Sequence, residues 1–125
     1  MSIPIYKQEV FCTVVFEATH NWPGVVDHEQ YAEVHYLQHE HRHRFFIKAH
    51  SRVTHSDRDV EFIWLAHKIE DFLLSKYPTR RMGHKSCEML AIEILEHFAD
   101  YLYKVEVSED NENGAIVELA TNRET

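Results

Sequence analysis

The stretch "YLQHEHRHRFF", Tyr36–Phe46, puts histidine at every second position, His39, His41 and His43, and then runs into Phe45 and Phe46. Alternate residues of a β-strand point the same way, with Cα atoms about 6.6–6.8 Å apart. Read as a strand from about Leu37 to Val53, the segment sets His39, His41, His43, Phe45, Ile47 and Ala49 on one face. Arg42, Arg44, Phe46, Lys48 and His50 take the other.

A second strand lies upstream. "VFCTVVFEATH", Val10–His20, is rich in Val, Phe and Thr, which is strand chemistry. Val10, Cys12, Val14, Phe16, Ala18 and His20 share one face, and Phe11, Thr13, Val15, Glu17 and Thr19 the other. Between the two strands, "NWPGVVDHEQ" carries the Pro-Gly, Asn and Asp of a turn and loop.

Downstream, "THSDRD" is a helix-start signal, with Ser56 or Asp57 as the cap and Asp59 and Glu61 in a first turn that favours negative charge. Apolar Phe62, Ile63, Leu65, Ala66, Ile69, Phe72 and Leu73 recur at helical spacing from Val60 to about Lys76, and Pro78 ends the run. Ser86 opens a second helix with Met89, Leu90, Ile94, Leu95 and Phe98 as its stripe. "LYKVEVSE" (Leu102–Glu109) alternates again, "DNENG" is a hairpin turn with Asn113 and Gly114 suited to positive φ, and "AIVELAT" returns as a strand. Strand pairs flanking a helix pair specify an α+β fold, with helices on one face of a four-stranded antiparallel sheet. Its two open edges favour association with further subunits.

The 125 residues fit one domain, residues 1–125, with 44% hydrophobic and 27% charged side chains. No apolar run reaches the length of a membrane span, and the opening "MSIPIYKQEV" lacks a signal pattern, so a cytoplasmic location is expected. Net charge is −8, and protonating all 11 histidines would turn it to +3. A chain of that sign repels phosphate backbones, and "RHR" and "RR" are too short for a nucleic-acid footprint. Cys12 and Cys87 form no metal-type pair and read as small buried residues.

Eleven histidines are the compositional anomaly. His28, His50, His55, His67 and His97 read as scattered, tolerated polar residues. His41 and His43 are a ligand pair by spacing. If the first two strands pair antiparallel, His20 at the end of the first faces them. Three neutral imidazoles with one open position is the pattern of catalytic zinc. The competing reading is an exposed face on which histidine serves as a polar residue.

These motifs resemble the 6-pyruvoyltetrahydropterin synthase family, which includes the 6-carboxytetrahydropterin synthases of queuosine biosynthesis. "FEATH" (Phe16–His20) matches the end of the family's first strand, and "HRHRF" (His41–Phe45) is similar to its H-G-H element. "DVEFIWL" (Asp59–Leu65) looks like a relaxed form of its first-helix motif. "KSCEML" puts Glu88 in the place of the Glu that opens its second helix, and "VEVSED" puts Glu109 in the place of its late Glu.

The resemblance implies a T-fold whose sheets join into a barrel, commonly a homohexamer built as a dimer of trimers. It implies Zn2+ on His20, His41 and His43, and Glu109 anchoring the 2-amino and N3–H edge of a pterin substrate. The implied activity is that of a lyase acting on a dihydroneopterin triphosphate-like compound. The family's cysteine before the H-x-H pair is absent from "VHYLQHE", and its Asp-His pair reduces to His84 after Gly83. The candidate proton-moving groups are then His84, and His39 or His35 near the place of the missing cysteine. Against the enzyme stands a T-fold homologue without turnover, which binds a pterin or purine-like ligand or serves as an oligomeric scaffold. A metal-binding protein unrelated to pterins is a third reading.

Overall fold

A computed structural model describes residues 3–120. Four strands form one antiparallel sheet in the order β1 (Glu9–His20), β2 (His41–Arg52), β3 (Lys104–Glu109), β4 (Asn113–Glu118). Two helices, α1 (Phe62–Lys76) and α2 (Cys87–His97), cross between β2 and β3. They cover the sheet face that carries Val14, Phe16, Phe45, Ile47, Val105 and Val107, all buried. Leu65, Ile69 and Leu73 of α1 and Leu90, Ala91, Ile94 and Leu95 of α2 close the core from the other side. The expected α+β architecture holds, as do the strand faces apart from His39, and both cysteines are free and buried. Among the described residues, no helix is long and apolar enough to cross a membrane.

Four local expectations are corrected. β2 begins at His41, not Leu37. Its pairing with β1 ends at His20↔His41, because β1 stops before Pro23 and leaves residues 37–40 without a ladder partner. That stretch instead closes a run of 3-10 turns, Pro23–Asp27 and Glu29–Gln38, pinned where Trp22 N–H donates to Leu37 O at 2.7 Å. His39 is therefore not a third member of the strand face.

Helix α1 starts later than expected and is capped by neither Ser56 nor Asp57. The Glu61 carboxylate accepts from Ile63 N–H and Trp64 N–H. Asp59 is already committed to Thr54, and Ser56 to Gln8. Phe62 and Ile63 consequently lie on the surface, as does Met89, which is 52% exposed.

In the β3–β4 hairpin the left-handed residues are Asp110 (φ 54°) and Asn111 (φ 61°), while Asn113 and Gly114 belong to β4. Gly114 is required for closeness instead, since a Cβ there would lie 2.1 Å from Val107 O. Thr121 of the expected last strand lies outside the described residues.

His50, finally, is not a tolerated surface histidine. It is buried on the sheet between Glu106 (2.6 Å) and Glu9 (3.3 Å).

Candidate metal centre

Residues paired across an antiparallel ladder point to the same face. The register sets His20 opposite His41, Ala18 opposite His43, and Phe45 opposite both Phe16 and Glu109. His20, His41, His43 and Glu109 thus gather at one end of the helix-covered face. The three imidazole centroids lie 4.6, 5.2 and 5.0 Å apart, and one ring nitrogen from each lies within 4.8 Å of the other two. The expected convergence of His20 on the His41/His43 couple is what the fold produces.

The outer contacts decide which nitrogens face inward. His20 Nδ1 is 2.7 Å from Lys85 O, His41 Nδ1 is 2.8 Å from His39 O, and His43 Nδ1 is 2.7 Å from an Asp110 carboxylate oxygen. Carbonyls and carboxylates only accept, so each Nδ1 must donate. A neutral ring that donates from Nδ1 keeps its lone pair on Nε2. This is the arrangement by which metal-binding histidines are oriented from behind.

Asp110 holds two positions at once. Its carboxylate accepts from His43 Nδ1 and from Arg44 N–H, and these contacts keep its pKa below the ordinary carboxylate range.

Inside the cluster, Glu109 stands 3.2 Å from His20 Nε2 and 3.5 Å from His43 Nε2. His20 is 7% exposed, and its Nε2 has no hydrogen-bond partner. Lone pairs facing a carboxylate repel unless positive charge lies between them. Without an ion the site must take up a proton. Burial lowers the His20 pKa, yet contact with Glu109 and the Lys85 carbonyl raises it overall. Glu109 is drawn below its usual value, first by His20 and also by the charges of His43 and His41, against burial. A divalent cation meets the same demand without protons. The three imidazoles form a borderline-soft nitrogen set that suits zinc, and they need only close around it.

The centre opens on a cavity of about 500 Å³ whose walls include His20, His41, His84, Cys87, Glu88 and Glu109. His84 and Glu88 line the same cavity as His20 and His41. The His39 ring does not line it. His39 contributes through its backbone, as the acceptor behind His41.

Cys87 was not singled out in the sequence as a site residue, but its Sγ lies 4.0 Å from Glu109 Oε2. Burial, with the charges of Glu109 and Glu88, pushes its thiol up to about 12, so it stays protonated. Asp110 also carried no signal of its own. Only the β2–β3 register, which brings the residue after Glu109 beside Arg44, reveals it.

Asp110→Asn keeps an acceptor for His43 but removes the charge. Zinc affinity is expected to fall by roughly 10–100-fold, the usual cost of altering such a partner. Chelator competition measures it, and an unchanged Kd would show that the carboxylate does not orient the ligand.

Fold and site together describe an α+β protein with a three-imidazole centre at the mouth of a cavity. Among solved structures, Caenorhabditis elegans 6-pyruvoyl tetrahydropterin synthase is similar, with a TM-score of 0.57 and 17% sequence identity over 96% of this chain and 99% of that chain. At that identity the likeness is one of fold, and the chain adopts the T-fold. No protein-family model and no curated protein matches the sequence.

Proposed function

We propose that the protein is a zinc-dependent, pterin-processing T-fold enzyme. Its type is the 6-pyruvoyl/6-carboxytetrahydropterin synthases, and its substrate resembles dihydroneopterin triphosphate. The observation that carries this reading is the set of three Nδ1–H groups held from behind, which leaves three Nε2 atoms converging beside Glu109 at a cavity.

Zinc, when bound, supplies a Lewis acid for the side-chain oxygens of the substrate. The chain's own groups do the rest. Glu109, held anionic, accepts from a 2-amino and N3–H edge as a carboxylate accepts from a guanidinium. Glu88 adds a second acceptor on the cavity wall. Of the three histidines considered for moving protons, His84 borders the cavity and takes the role, whereas His39 and His35 do not line it. Among the described residues no further strand pairs with the outer side of β4, or with that of β1 beyond the bridge at Thr19, which supports assembly with further copies, a dimer of trimers in this reading.

A second reading is a T-fold homologue that binds a ligand without turnover. One observation favours it: the only cysteine at the cavity is a thiol held protonated.

Protein purified without a histidine tag, analysed for metal and incubated with dihydroneopterin triphosphate, separates the two. About one zinc per chain with a tetrahydropterin product supports the enzyme. Zinc and ligand binding without product supports the second reading. Absence of both zinc and ligand binding overturns the two together.

A further inference from the structure

Glu93 on α2 does not border the cavity around the imidazoles, yet it is the most heavily engaged carboxylate behind it. Its side chain is 11% exposed, and Oε2 lies 3.0 Å from both Lys76 Nζ and Lys85 Nζ. Oε1 accepts from the Tyr77 hydroxyl. Burial works against the anion, but these three donors outweigh it and hold the carboxyl below its usual range. Lys85 is where this cluster meets the metal centre, because its carbonyl accepts from His20 Nδ1 at 2.7 Å.

The chain before Lys85 is tied to β1 by backbone bonds, Thr19 N–H to Arg80 O (2.8 Å) and Met82 N–H to Thr19 O (2.9 Å), that stop short of Lys85 itself. Between the end of α1 and Ser86 it is irregular, with Gly83 in the left-handed region (φ 67°) and one isolated bridge, Thr19↔Arg81, to β1. The last backbone tie before Lys85 is Asn21 N–H to Gly83 O, at 2.9 Å. Two residues further on, Lys85 is held by its ammonium against Glu93 and is followed directly by Ser86, the cap of α2.

We propose that Glu93 is a positioning residue for the metal centre: by gripping Lys85 it aims the Lys85 carbonyl at His20 Nδ1, and so fixes the tautomer that presents Nε2 to the ion. The inference rests on the metal half of the function proposed above and is independent of the pterin half. A purely structural Glu93 would tie the end of α1 to α2 and leave the His20 ring unaffected.

The test uses the full chain carrying Glu93→Gln or Lys85→Met. The second keeps the backbone carbonyl and removes only its anchor. Two quantities are read: zinc Kd by chelator competition, and the 15N shifts of the His20 ring in metal-free protein at a pH high enough for the ring to be neutral. Both variants are expected to bind zinc roughly 10–100-fold more weakly, the range for outer partners of a ligand, and to show His20 as a mixture of tautomers. A lowered Tm with wild-type Kd and a single His20 tautomer would overturn the proposal. If Glu93→Gln does not fold, Lys85→Met decides alone by the same readouts. If the wild type takes no zinc, the metal reading fails, and the metal-free 15N shifts still decide whether Glu93 sets the ring.

Discussion

His41→Ala is expected to abolish most zinc binding while leaving the metal-free fold almost unchanged. His41 is the most separable of the three imidazoles. It is only partly buried, it opens β2, and behind it lies one hydrogen bond to His39 O. Substitutions at such positions usually stay within about ±0.5 kcal/mol. In the proposed zinc site, however, His41 is one of three protein ligands. Its loss must exceed the roughly 10–100-fold that an outer partner costs, so more than about 100-fold is expected. Stability converts this into a readable shift. Zinc at 100 times Kd stabilises the native state by about 2.7 kcal/mol, on the order of 10 °C in Tm for a chain of this size. A 100-fold weaker site at the same zinc concentration keeps about 0.4 kcal/mol, roughly 1 °C. Thermal unfolding with and without zinc, and with chelator added back, measures both. A variant that retains the full zinc-induced shift would show that the three rings are not a metal centre.

That prediction draws on a part of the molecule that was readable in the sequence. Alternation in Val10–His20 and His41–Ala49 assigns the buried faces, and antiparallel pairing then has to bring His20 against His41, as the register confirms. Alternation does not say where a ladder ends. The spacing of His39, His41 and His43 continues without a break, while the pairing stops at His41 because Pro23 ends the partner strand.

Cap chemistry was ambiguous for a similar reason. Asp59 and Ser56 are good caps, but both are spent on a loop that the sequence does not announce, and Glu61 takes the place. Asp110, Lys85 and Glu93 were invisible because their significance lies in partners 67, 65 and 8 residues away. Only the folded hairpin and the return of α2 bring these groups together. The imidazoles of β2 follow a local period, whereas the groups that orient the cluster follow no period at all.

The second large effect lies where core and centre share one side chain. Phe45 is 0% exposed and sits between Phe16 on β1 and Glu109 on β3. Its ring stands edge-on to His20 (5.1 Å, 86°) and to His43 (5.8 Å, 85°), so the apolar core ends and the imidazole cluster begins at this one residue. Phe45→Ala is expected to cost about 3–5 kcal/mol, a large part of the roughly 5–15 kcal/mol that holds a domain together. Urea unfolding of metal-free protein measures this, and a loss below about 1 kcal/mol would mean that the sheet collapses freely around the gap. Phe45→Leu separates packing from support. It refills most of the volume at a cost below about 1.5 kcal/mol, but it has no ring edge or face to offer the two histidines. Aromatic pairs of this kind contribute about 0.5–1.5 kcal/mol beyond their buried area. The leucine variant should therefore recover most of the lost stability and still bind zinc more weakly, by up to about tenfold. If its zinc Kd equals the wild-type value, Phe45 carries the core alone, and the orientation of His20 and His43 is left to Lys85 and Asp110.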